Sequence, residues 1–103
     1  MVKQLTNKDD FEKVISSNDK VIIDFFATWC GPCKMLAPML EQTANKNQTW
    51  TILEVDIDQF KELAGKYGIQ AVPTLIFIKN KKIVEKSMGF KPAEEIQKII
   101  DKI

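Results

Sequence analysis

The sequence contains no histidine and no arginine. Without an imidazole, Ser-His and Cys-His catalysis and His-ligated metal sites are excluded. Without a guanidinium there is no planar fork for bidentate recognition of phosphate or carboxylate. Cysteine is scarce, at two residues; glycine and proline number four each and are scattered, with no linker, repeat or low-complexity run. An excess of one charge sign is missing too, since fifteen basic residues, all lysine, face fourteen acidic ones for a net charge of +1. Nucleic-acid and membrane-surface binders need concentrated positive charge, so neither partner is expected. No stretch approaches the roughly 18 apolar residues of a membrane span. The segment Met1-Val2-Lys3-Gln4-Leu5-Thr6-Asn7-Lys8-Asp9-Asp10 turns polar at once and lacks the apolar region of an export signal. A mature cytoplasmic chain is the expectation, and in that compartment disulfides are transient and functional rather than structural.

What is present fits one domain spanning residues 1–103. The chain is 45% hydrophobic and 28% charged, too apolar for disorder and too short for two cores. Folding at this length buries roughly two thirds of the extended chain's surface, enough for a core without staples. Val2 to Leu5 fits a short strand. Thr6 with Asp9 three residues on resembles a capping box, followed by Phe11, Val14 and Ile15 on one helical face. Val21-Ile22-Ile23-Asp24-Phe25-Phe26-Ala27 is a continuous apolar run suited to a strand covered on both faces. Leu36, Met39, Leu40, Thr43 and Ala44 then follow a helical spacing, interrupted by Pro38.

Thr51 to Ile57 alternates as a core strand. Phe60, Leu63, Ala64 and Tyr67 make a short amphipathic helix closed by Gly68. Thr74 to Ile78 and Ile83 to Met88 flank the polar turn Lys79-Asn80-Lys81-Lys82 as a hairpin. Pro92 stands where a first helical residue belongs, and Ile96, Ile99, Ile100 and Ile103 give a last helix its inward stripe. The order β-α-β-α-β-α-β-β-α predicts an α/β fold: a central mixed sheet of about five strands flanked by about four helices.

The strong chemical signal is Cys30-Gly31-Pro32-Cys33 where the buried strand meets a helix. A cysteine at a helix start faces free backbone N–H groups and the positive end of the dipole, which stabilise a thiolate. Two intervening residues let Cys33, one turn on, reach the same sulfur. Gly31-Pro32 makes a small, stiff turn expected to leave Cys30 uncovered and Cys33 facing inward, the geometry of thiol–disulfide exchange. A zinc site would need two more Cys or His ligands that the chain lacks. A structural disulfide closing so short a loop would remove little unfolded-state entropy.

Trp29-Cys30-Gly31-Pro32-Cys33-Lys34, the preceding run Val21 to Ala27, and Val72-Pro73-Thr74 further along together resemble the thioredoxin family, over essentially the whole chain. The resemblance implies the thioredoxin fold and a general protein-disulfide reductase. Cys30 would be the nucleophile forming a mixed disulfide and Cys33 the resolving thiol, the pair cycling through a Cys30–Cys33 disulfide. It implies no bound cofactor and no metal. Electrons would come from NADPH through a separate flavoprotein, thioredoxin reductase. Targets would be disulfide-bearing proteins of the ribonucleotide reductase, peroxiredoxin and methionine sulfoxide reductase classes, met by a monomer. Oxidases and isomerases of this fold typically place His between the cysteines, where this chain has Pro32. The competing reading is a binding subunit of another enzyme, with the dithiol as a redox-sensed contact.

Asp24 is out of place amid Ile23 and Phe25. Burial of a carboxylate raises its pKa toward a range useful for proton exchange. The resemblance gives it the role of acid and base for Cys33 through water; the alternative is a buried carboxylate paired with a lysine. By resemblance the Val72–Pro73 bond is cis and faces the dithiol. Trp29, Gly31, Pro32, Val72, Pro73, Thr74, Gly89 and Phe90 would then ring Cys30 as a docking surface, with Trp29 as an ordinary core residue the competing view. Lys34 supports the thiolate electrostatically or is simply solvated. Three positions depart from the family pattern: Phe26 in place of a frequent Trp, Glu54 in place of a lysine neighbour of Asp24, and Asn80-Lys81 in a turn that often contains Gly. Glu54 would push the Asp24 pKa higher if it points that way.

Overall fold

A computed structural model describes residues 2–103. Nine elements follow in order: β1 (Val2–Gln4), α1 (Asp9–Ser17), β2 (Lys20–Phe26), α2 (Gly31–Lys46), β3 (Thr51–Asp56), α3 (Lys61–Lys66), β4 (Thr74–Lys79), β5 (Lys82–Met88) and α4 (Ala93–Lys102). The strands form one mixed sheet in the order β1-β3-β2-β4-β5. β1, β3 and β2 run parallel; β4 is antiparallel to β2, and β5 to β4.

The two-residue period of β2 divides its side chains between two apolar layers. Val21, Ile23 and Phe25 pack with Phe11, Val14, Leu53 and Val55, against which Leu63, Ala64 and Tyr67 of the α3 region lie. Ile22 faces the opposite layer with Leu36, Leu40 and Ala44 of α2, Ile52 of β3, and Ile96 and Ile100 of α4. β2 is therefore covered on both faces, as its unbroken apolar run requires. By the same period Asp24 shares the face of Ile22 and points toward α2. That alternation sets the site.

Two local details differ from the sequence reading, and a third goes beyond it. Thr6 does not cap α1. The side chain of Asn7 accepts from the Asp9 N–H at 2.9 Å instead, and no side chain caps the helix at Lys8. Asn7 reaches the free donor from two residues away, as in an Asx-turn. Pro92 occupies the N-cap of α4 in an extended conformation, one position before the first helical residue. The β4–β5 pairing also slips between Phe77 and Ile78.

Asn80 and Lys81 both take positive φ, 51° and 69°. They are the central residues of a two-residue hairpin loop between Lys79 and Lys82, the geometry of a type I′ turn. Asn tolerates this region, whereas the lysine Cβ crowds its own backbone there. Lys81→Gly is expected to stabilise the fold by about 0.5–1 kcal/mol, read as a rise of a few degrees in Tm. An unchanged or lower Tm would show that the lysine is not strained.

Candidate active site

The dithiol lies where β2 ends and α2 begins. Cys30 is the N-cap of α2 in an extended conformation, with Gly31 and Pro32 in the first helical positions. Proline fits there because its missing N–H would have had no helical partner. The Cys33 N–H donates to Cys30 Sγ at 3.2 Å. The Cys30 thiol in turn approaches the Val72 carbonyl at 3.8 Å. Both cysteines are free thiols.

Cys30 is less open than its spacing suggested: it and Cys33 are each 5% exposed. Its sulfur sits between the first turn of α2 and the segment before β4, where Val72 packs against the Ala27-Cys30-Cys33 cluster. That segment holds a cis Val72–Pro73 bond. The Gly89 N–H donates to the Pro73 carbonyl at 2.8 Å, and Gly89 has a φ of 87° suited to its missing side chain. Thr74 is buried and its hydroxyl donates to the Ala71 carbonyl at 2.7 Å, so this side chain holds the turn and is not a docking group.

Trp29 is 68% exposed, which removes its reading as a core residue. Its indole N–H donates to Asp58 Oδ2 at 2.9 Å, fixing the ring beside the dithiol. Sequence reasoning missed Asp58, since an aspartate in a polar turn after a strand reads as turn chemistry. Phe90 is partly exposed and Met35 and Met88 are open to solvent. Lys34 lies on the exposed side of the first turn.

Behind Cys33 lies Asp24, only 2% exposed, with Oδ1 lacking any hydrogen-bond partner among the described residues. Among the described residues, no lysine pairs with it. Burial first, and the Glu54 carboxylate second, push its pKa from 3.8 up to about 7. Burial also pushes the Cys33 thiol up to about 12, with the neighbouring Cys30 sulfur adding to the effect. Asp24 and Cys33 line one cleft of about 370 Å³ together with Gln4, Lys34 and Glu54. Cys33 keeps its proton at neutral pH, and a carboxyl able to accept one stands beside it.

The family model described as Thioredoxin matches residues 2–102. The chain belongs to the thioredoxin family.

Thioredoxin of Mycoplasmoides gallisepticum is 40% identical over 99 residues, covering 96% of this chain and 99% of its own. That of Bacillus subtilis is 44% identical over 88 residues, 84% of this chain and 85% of its own. Among solved structures, oxidised thioredoxin from Plasmodium falciparum superposes with a TM-score of 0.89 at 35% identity, covering 99% of this chain and 97% of that one. A mutant thioredoxin from Halobacterium salinarum gives 0.90 at 32% identity, over 98% and 88% of the two chains. The fold is thus the thioredoxin fold, and Cys30-Gly31-Pro32-Cys33 is the redox centre of a thiol–disulfide oxidoreductase. Thioredoxins need no bound cofactor, and the family works with a reductase and with disulfide substrates. Among the described residues, no helix is long and apolar enough to cross a membrane.

The raised Asp24 pKa has a cost in stability. Below about pH 4 the carboxyl is protonated in both folded and unfolded chains. Between about 4 and 7 the unfolded chain ionises while the folded one holds its proton, so stability falls as pH rises and levels off above 7. The full loss is on the order of 4 kcal/mol. Asp24→Asn is expected to raise Tm clearly at pH 8 and much less at pH 4. Equal gains at both pH values would mean that Asp24 is not the titrating group.

Proposed function

We propose that this chain is a general protein-disulfide reductase in which Cys30 attacks, Cys33 resolves and Asp24 exchanges a proton with Cys33. The contact that carries the reading is the Cys33 N–H donating to Cys30 Sγ at 3.2 Å, at the amino end of α2. It directs a backbone dipole at the sulfur that must bear charge.

The Cys30 thiolate attacks one sulfur of a target disulfide, forming a Cys30–target bond and expelling the other target sulfur as a thiolate. Asp24 takes the Cys33 proton through water, and the Cys33 thiolate attacks Cys30 Sγ. The mixed disulfide breaks, the second target sulfur leaves as a thiolate, and two electrons have passed to the target. The chain retains a Cys30–Cys33 disulfide. Trp29, Val72, Pro73 and Gly89 form the docking rim, with Gly31 and Pro32 keeping the approach low and Lys34 adding positive charge to the first turn.

Residues 1–103 act as one thioredoxin domain, a monomer in the cytoplasm. Re-reduction comes from NADPH through a flavoprotein thioredoxin reductase. Targets belong to the ribonucleotide reductase, peroxiredoxin and methionine sulfoxide reductase classes. Pro32 between the cysteines supports reduction over oxidation as the working direction.

Two variants separate the sulfur roles. With a protein disulfide as substrate, Cys33→Ser is expected to accumulate a covalent adduct on non-reducing gels, and Cys30→Ser none. Equal trapping by both would overturn the assignment. Turnover of insulin disulfides with dithiothreitol as donor distinguishes a reductase from a binding subunit, which would bind its partner equally well without either cysteine.

A further inference from the structure

We propose that Glu54 is the outer carboxyl of a two-carboxyl path that carries protons between the buried Asp24 and solvent. The inference rests on the proton-transfer role of Asp24 and extends it.

Asp24 and Glu54 are register partners on the parallel strands β2 and β3. Neighbouring strands lie about 4.8 Å apart and register partners share a face, so the two side chains stand side by side. Both line the cleft that also contains Cys33. Their environments differ in the way a path requires. Asp24 is enclosed, with an oxygen unpartnered among the described residues, whereas Glu54 is only half-buried. A proton arriving on Asp24 from Cys33 must leave before the next cycle, and Glu54 is the neighbouring, more exposed carboxyl lining the same cleft.

The surroundings leave little competition. From α2 come Cys33 and Lys34, while Glu41 acts on Glu54 from the same helix. The Lys34 side chain is a hydrogen-bond donor and offers no acceptor to a carboxyl proton. β1 supplies the uncharged Gln4, and β4 places Leu75 opposite Asp24. Asp56, further along β3, is engaged with the backbone N–H groups of Asp58 and Gln59. Burial, then Glu41, raises the Glu54 pKa, which brings the two carboxyls closer in proton affinity and supports transfer between them.

In the resolving step the Cys33 proton passes to the Asp24 carboxylate, then to the Glu54 carboxylate, then to water. The Cys33 thiolate displaces the target thiolate from Cys30, and no other group changes oxidation state.

The test is the rate of mixed-disulfide resolution across pH 5 to 9 in dilute and concentrated imidazole. Wild type is expected to be indifferent to buffer concentration. Glu54→Gln, nearly isosteric, should be several-fold slower in dilute buffer, regain its rate in concentrated imidazole, and titrate at lower pH because a neighbouring negative charge is gone. Glu54→Asp should keep most of the wild-type behaviour. A Glu54→Gln rate that matches wild type in dilute buffer would overturn the path, while slow resolution in Asp24→Asn would leave the Asp24 role intact. An Asp24→Asn variant as fast as wild type would remove both.

Discussion

The backbone N–H of Cys33 meets the sulfur of Cys30 across 3.2 Å, and the site is arranged around that contact. It requires a helix to begin where a strand stops. The strand is fixed by its own covering: β2 is held between β3 and β4 and lies under apolar layers on both faces. A strand so placed cannot slide, since a one-residue slip would turn Asp24 into the layer of Phe11, Val14 and Leu53 and Ile23 toward the dithiol. The position of the reactive sulfur is thus inherited from the most buried element of the chain.

The same strand sets the division of labour between the two sulfurs. Their exposures are equal, so access alone does not separate attacker from resolver. What differs is their partners. Cys30 has an amide donor and the Val72 carbonyl at the surface notch, whereas Cys33 has a buried carboxyl behind it and a strongly raised pKa. One sulfur faces fixed backbone dipoles; the other lies in the cleft of a buried carboxyl whose pKa is raised to about 7.

Much of this was legible in the residues. The apolar run Val21 to Ala27 with one carboxylate in it marked a doubly covered strand, and the cysteine pair after it marked the helix start. The nine elements appear in the expected order because each carried its own period: two along the strands, near 3.6 along the helices. What was not legible depended on contacts far apart in sequence. The bond from Trp29 to Asp58 joins segments whose meeting no local pattern specifies, and the placing of Val72, Pro73 and Gly89 near Cys30 was expected from the family resemblance and not from their own residues. Near-neighbour competition hid the rest. Asn7 and Thr6 were both able to cap α1, and the Thr74 hydroxyl turned to its own loop instead of to the surface.

The two layers of the core are unequal in one respect. Buried polar side chains occur in both: Thr74 shares the face of Phe25 on the α1 side and bonds its own loop, whereas Asp24, under α2 near the dithiol, has an oxygen without a partner among the described residues. Opening events follow the weaker seam. A buried carboxyl oxygen without a partner among the described residues weakens the packing beneath the first turn of α2, so opening is expected to cost least there.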